Sequence, residues 1–298
     1  MNYHFEEGTF DGLACVTLYT GRMRLVLVTG AGPRIAYLGA GLRRRTSCTG
    51  RRTVWFGGRE PGLGGPHRVW LTRPMADESE DTYAGDCEPC RVDREEDGVT
   101  VTAPPHPFTR LERGIRVRVL GETSFEVANF IKNTGPLVYS GGVWSPTCVN
   151  PKGRTFYVPL GDEGASWDMV RIVVPRVFAG NVTQVEDPQV TFEGNDMVVR
   201  SMGRVTKRCV GAPKGEVSML WPEEKLKFTK KAEYVRDGIT HWRLQCGCVY
   251  RGKRLDGRDG DLWGGTDGEA GRDHMEQGGV DGSGGLREYL HKSVFQFH

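Results

Sequence analysis

The sequence predicts an all-β protein: a large two-sheet antiparallel sandwich. Two observations carry this. Short alternating or aliphatic runs recur at regular spacing with turn dipeptides between them. No stretch of about twelve residues or more repeats with the 3.6-residue period of an amphipathic helix. In chain order, Arg22–Val28 begins as alternation and ends as a buried run. Asp97-Gly98 is a hairpin dipeptide leading into Val99–Thr102. Ile115–Val119 alternates, and Gly121-Glu122-Thr123 turns the chain into Phe125–Ile131. Asn133–Pro136 is the next turn. Thr155–Pro159, Val170–Val174 and Gln189–Glu193 follow, and Gly194-Asn195-Asp196 separates the last of these from Met197–Val199. Glu216–Leu220 and Thr240–Leu244 close the series. This is more strand than an immunoglobulin-like domain needs, so one larger sandwich over residues 1–250 is expected.

The chain has 298 residues, 38% hydrophobic and 26% charged, which is ordinary globular composition and enough to bury a sizeable core. Forty basic against 38 acidic residues leave a net charge of +2. No overall basic field argues for nucleic acid, and the runs Arg43–Arg45, Arg51-Arg52 and Lys230-Lys231 read as solvated surface. The first residues lack the basic and apolar regions of a signal peptide, and no apolar run is long enough to span a bilayer. The expectation is a cytoplasmic protein with no membrane or nucleic-acid partner and with most of its eight cysteines as free thiols. Its oligomeric state is not specified by the sequence. Residues 251–298 read differently: they are rich in glycine beside aspartate, aliphatic residues are scarce until Leu286, and a linker or disordered tail is expected.

Nucleotide-binding and serine-hydrolase motifs are absent. Cys87-Glu88-Pro89-Cys90 and Cys246-Gly247-Cys248 offer four thiols, but the second spacing and the long separation do not fit a zinc ribbon, so no metal is expected. The acidic run Asp77–Asp81 reads as a solvated loop, with a cation or sugar-hydroxyl contact as the alternative. The segment Gly64–Trp70 places an imidazole, a guanidinium and an indole in close succession after a glycine turn. On a strand, alternation sends His67 and Val69 to one face and Arg68 and Trp70 to the other. Two readings follow: one wall of a polar ligand site, or a glycine-rich loop entering a core strand that holds a histidine.

Several segments in order carry a family resemblance. Gly32-Pro33-Arg34-Ile35 resembles the "G-x-R-I" strand of aldose 1-epimerase-like proteins, and Gly64–Trp70 resembles their "G-G-x-R-x-W" strand. Val127–Asn133, ending in an Asn-Thr turn, and Val143–Thr147 with Thr155–Leu160 resemble further strands of the uncharacterised bacterial branch of the galactose-mutarotase-like superfamily. The resemblance covers residues 10–250. It implies a β-supersandwich with a carbohydrate site on its concave face, a small-molecule sugar as partner, no cofactor, and a function in carbohydrate binding or in epimerising an aldose. Anomer exchange needs an acid and a base on opposite sides of the sugar. The resemblance offers His67 as the catalytic or hydroxyl-contacting group, and Arg34, Arg68, Trp70 and Trp144 as ligand contacts. Trp144 stands where the family carries its acid histidine, and no strand of the form "E-x-E-T-x-G-P" supplies the base near residue 250; Glu269, Glu276 and Glu288 lie outside such a context. The alternative function is therefore a non-catalytic carbohydrate-binding or scaffold protein. One reading of the tail is a family C-terminus in a shifted frame: moving a back-translation of Lys253–Trp263 by one base yields a family-like strand.

Overall fold

The first hairpin shows how local chemistry sets the architecture. β1 (Tyr3–Phe10) and β2 (Leu13–Thr20) pair antiparallel around Asp11-Gly12. Both turn residues have positive φ, 50° and 81°, as the two-residue turn matching strand twist requires. The structure, a computed structural model, describes residues 3–40, 67–72, 85–136, 142–149, 154–161, 173–175, 186–202, 206–210, 212, 214–222, 226–232, 246–250, 262–268 and 287–297. Among the described residues the regular elements are strands, and none forms an α-helix. No helix there is long and apolar enough to cross a membrane.

Two sheets hold these strands. The first, of eleven strands, contains β1, β2, β3 (Met23–Val28), β4 (Arg34–Ala40), β5 (His67–Arg68) and β6 (Trp70–Thr72). It continues through β11 (Gly142–Val149), β20 (Leu262–Gly268), β19 (Cys246–Tyr250), β16 (Thr206–Val210) and β13 (Val173–Pro175). The second, of ten strands, runs β14 (Val190–Glu193), β15 (Asp196–Arg200), β12 (Thr155–Pro159), β17 (Glu216–Trp221), β18 (Leu226–Ala232), β21 (Arg287–Phe297), β10 (Ser124–Asn133), β9 (Leu111–Gly121), β8 (Gly98–Thr102) and β7 (Arg91–Arg94). Their inner faces share one aliphatic and aromatic core that includes Leu25, Ile35, Leu71 and Val143 from the first sheet and Ile115, Phe125, Val127 and Phe295 from the second. This is the two-layer antiparallel sandwich that strand alternation implied.

The tail expected outside the sandwich contributes strands to it. β21 lies between β18 and β10, with Phe295 opposite Phe125 on one side and Lys230 on the other. β20 pairs with β11 and β19. A boundary at 250 therefore does not divide the structure. The reason is the pattern at the chain's end: Ser293, Phe295 and Phe297 are buried and Lys292 and Gln296 exposed, a period-2 strand. Thr240–Leu244 and the acidic run Asp77–Asp81 lie outside the described residues, as do Glu269 and Glu276.

Candidate functional site

Strand register decides where each candidate side chain goes. His67 pairs with Ile35 on β4 and Thr147 on β11, while Arg68 pairs with Arg34. Trp70 pairs with Trp144, and Leu71 with Val143. Val69, Leu71, Val143 and Ile35 are core residues, so His67 faces inward with them. Arg34, Arg68, Trp70 and Trp144 share the opposite, outer face of the eleven-stranded sheet.

His67 is therefore not on the face that carries the other candidates. It is 1% exposed and packs edge-on against Phe295, ring centroids 5.1 Å apart. Its Nδ1 lies 2.9 Å from Thr147 Oγ1, and its Nε2 lies 2.8 Å from Asn129 Oδ1 on the opposing sheet. Lys230, 4% exposed, reaches across from β18 and donates through Nζ to Ser145 O at 2.7 Å and Thr147 Oγ1 at 3.1 Å. Thr147 Oγ1 accepts from Lys230 Nζ; Asn129 Oδ1 can only accept, so His67 Nε2–H donates to it, and a neutral ring then takes the Thr147 hydroxyl hydrogen at Nδ1. The chain of bonds consumes both ring nitrogens and ties the two sheets together. A ring so placed is a structural strut and does not present a proton to a ligand on the outer face.

The outer face is organised by a segment that sequence reasoning missed. Gly85–Cys90 crosses this face as a strap. Gly32 N–H donates to Glu88 O at 3.1 Å, and Cys90 N–H donates to Thr29 O at 2.8 Å, which pins the strap to the end of β3 and the following turn. Arg34 Nη2 donates to Asp86 O at 2.5 Å. The Asp86 carboxylate takes an ion pair from Arg68 Nη1 and a hydrogen bond from Trp70 Nε1 at 3.2 Å. The Arg68 guanidinium also lies over the Trp70 ring, 5.7 Å from its centroid, and Trp70 meets Trp144 edge-on at 5.0 Å. Arg68, Trp70 and Asp86 are buried; Trp144 is half-buried and is the indole of the pair nearer to solvent. Asp86 stands next to the C-x-x-C pair, a single carboxylate in an irregular segment with no period to mark it.

The strap also sets its cysteines apart. Burial pushes the Cys90 thiol up to about 12, with Asp86 and Glu88 adding to the rise and Arg34 opposing it, while Cys87 is exposed. Iodoacetamide at mildly alkaline pH is expected to alkylate Cys87 and spare Cys90, read by peptide mass spectrometry; equal labelling would contradict the burial. The sign of the linkage follows. A thiol whose folded value lies above its ordinary 9.0 adds stability below pH 9, and that stability is lost as pH climbs towards 12. Among the described residues no group of three or more His, Cys, Asp or Glu side chains could hold a metal ion. The side chains of Cys246 and Cys248 lie outside the described residues.

No protein-family model and no curated protein matches this chain. Solved structures do. A candidate aldose 1-epimerase from Escherichia coli K12 superposes with a TM-score of 0.58 at 9% identity, over 100% of this chain and 99% of that one. A galactose mutarotase-like protein from Lactobacillus casei gives 0.56 at 11% identity over 95% and 100% of the two chains. A galactose mutarotase related enzyme from Lactobacillus acidophilus gives 0.56 at 10% identity over 95% and 97%. The chain has the galactose-mutarotase-like fold. At these identities the likeness establishes architecture, and function has to be argued from the site.

Proposed function

We propose that this chain binds a carbohydrate on the outer face of the eleven-stranded sheet, with Trp144 as the platform for the sugar ring, and that it does so without acid–base catalysis by His67. The observation that carries the reading is the Trp70–Trp144 pair held against the Arg68–Asp86 ion pair. A half-buried indole over a rigid, hydrogen-bonded base offers an apolar surface beside polar groups, the combination that small-molecule sites use. Similarity in fold to mutarotase-like proteins supports a sugar as the ligand. Epimerisation is the second reading, and it rests on the Asp86 carboxylate beside Trp70. Against it, Asp86 is already engaged by a guanidinium and an indole, and the only imidazole among the candidate residues is on the far side of the sheet.

The test combines binding with turnover. In calorimetric titration with a panel of aldoses, Trp144→Ala is expected to weaken the best ligand at least about tenfold, a stacking-sized loss. His67→Gln is expected to lower thermal stability and leave affinity unchanged. Anomer-exchange NMR on the same sugars is expected to match the buffer rate. Exchange above the buffer rate that is lost in Asp86→Asn would establish the epimerase reading instead; wild-type affinity in Trp144→Ala would remove the proposed platform.

A further inference from the structure

The strap over the outer face carries two thiols in different surroundings. Cys87 is exposed, whereas Cys90, three residues on, is half-buried and packs against the core. Cys90 Sγ–H donates to Glu88 O at 3.5 Å, the oxygen that also accepts from Gly32 N–H at 3.1 Å. The Cys90 thiol therefore turns back along the strap, beside one of the bonds that hold the strap down. Cys90 N–H makes a second such bond, to Thr29 O at 2.8 Å. A third tie is the carboxylate of Asp86, the residue before Cys87, on Arg68 and Trp70. Two residues between thiols is the spacing that redox-active cysteine pairs use. At the other end of the strap Gly85 has φ of 77°, and a Cβ added there would meet nothing within 4 Å. That end is a glycine in open space, where the backbone has room to swing.

We infer that, whatever ligand the outer face takes, Cys87 and Cys90 form a reversible disulfide with a small-molecule disulfide of the glutathione class as oxidant, and that closing it lifts the strap off the sheet. The Cys87 thiolate attacks the oxidant, whose sulfur–sulfur bond breaks; one small thiol leaves and a mixed disulfide forms at Cys87. The Cys90 thiol then gives its proton to solvent, its sulfur attacks the Cys87 sulfur, and the second small thiol is expelled. The two protein thiols lose two electrons and two protons, and one oxidant disulfide becomes two thiols. Docking of the strap opposes the second step. Burial keeps the Cys90 thiol protonated, with Asp86 and Glu88 adding to the effect and Arg34 opposing it. Bringing the two sulfurs to bonding distance, about 2 Å, draws Cys90 out of its core contact and away from Glu88 O. Docking and oxidation therefore compete, and by linkage whatever holds the strap down keeps the pair reduced.

The experiment equilibrates the full chain in buffers of reduced and oxidised glutathione, then unfolds it in acid and alkylates the free thiols. The tryptic peptide ending at Arg91 holds Cys87 and Cys90 and no other cysteine. In oxidising buffer this peptide is expected to be two hydrogens lighter and unlabelled, and excess reduced glutathione is expected to restore it. The Trp70 indole Nε1–H, bonded to Asp86 in the docked strap, is followed by NMR in the same samples. Oxidation is expected to shift that signal and to speed its hydrogen exchange at least about tenfold. Asp86→Asn, which weakens a tie of the strap, is expected to speed ring closure. Cys87→Ser is expected to leave the Trp70 signal fixed in every buffer, which separates the strap from oxidation elsewhere among the eight cysteines. Should that variant not fold, Cys87→Ala takes its place. A chain that stops at the mixed disulfide, or whose Cys90 is still alkylated after full oxidation, overturns the inference. A closed disulfide with the Trp70 signal unmoved overturns it as well, because the bond then forms without lifting the strap.

Discussion

Ending the chain after Gly285 is expected to abolish folding. The deletion removes β21, which pairs with β10 over ten residue positions and with β18 over five. Its loss exposes the facing edges of both neighbours, each a row of unmet backbone donors and acceptors. It also removes Phe295 and Phe297, buried at 0% and 4%, from contact with Phe228. Each buried phenylalanine contributes about 1.5–3 kcal/mol by area, and truncating one typically costs about 3–5 kcal/mol once the cavity is counted. With net stabilities of about 5–15 kcal/mol, losing both together with a central strand leaves no margin. Far-UV circular dichroism and methyl dispersion in one-dimensional NMR read the outcome. A truncated chain with native-like dispersion would restore residues 251–298 to the status of an appended tail.

Asp86→Ala is expected to cost about 3–5 kcal/mol, the usual penalty for removing one partner of a buried ion pair. The substitution takes the carboxylate from Arg68, which is 1% exposed, and the acceptor from Trp70 Nε1. It leaves the Asp86 backbone carbonyl in place for Arg34, so the strap is loosened at one of its ties. Denaturant unfolding measures the loss. Asp86→Asn keeps an acceptor of the same shape and is expected to lose less. A change below about 0.5 kcal/mol in the alanine variant would place Asp86 among ordinary surface positions and undo the strap's role.

The sequence disclosed the alternation of the outer and inner faces, and around His67 it also marked which face was which. His67 shares its parity with Val69 and Leu71, two aliphatics that mark the core side, whereas the family resemblance drew His67 towards the ligand. Period-2 logic alone would have put it inside. The turns at Gly121–Thr123 and Gly194-Asn195 were legible because glycine and asparagine chemistry is local, and β9, β10 and β15 follow directly from them. Asp86 was not legible: a single carboxylate in an irregular strap has no period, and its partner Arg68 lies across a fold contact. Lys230 was hidden for a related reason. A Lys-Lys pair reads as surface, yet Phe228 two residues earlier gives Lys230 the core parity, and hydroxyl and carbonyl oxygens on the opposing sheet accept from its ammonium. β21 was masked by the glycine-rich stretch before it, although its own last residues alternate cleanly.

The proposed sugar site lies on the outer face at Trp144, with His67 on the other side of the same sheet. The direct measurement is a titration of the uniformly labelled chain with the tightest-binding sugar, following the indole Nε1–H resonances and the imidazole signals together. With the sugar there, the Trp144 indole is expected to shift first and most, Trp70 to follow through ring contact, and the His67 signals to stay fixed. Shifts centred on His67, with the Trp144 indole unmoved, would contradict it.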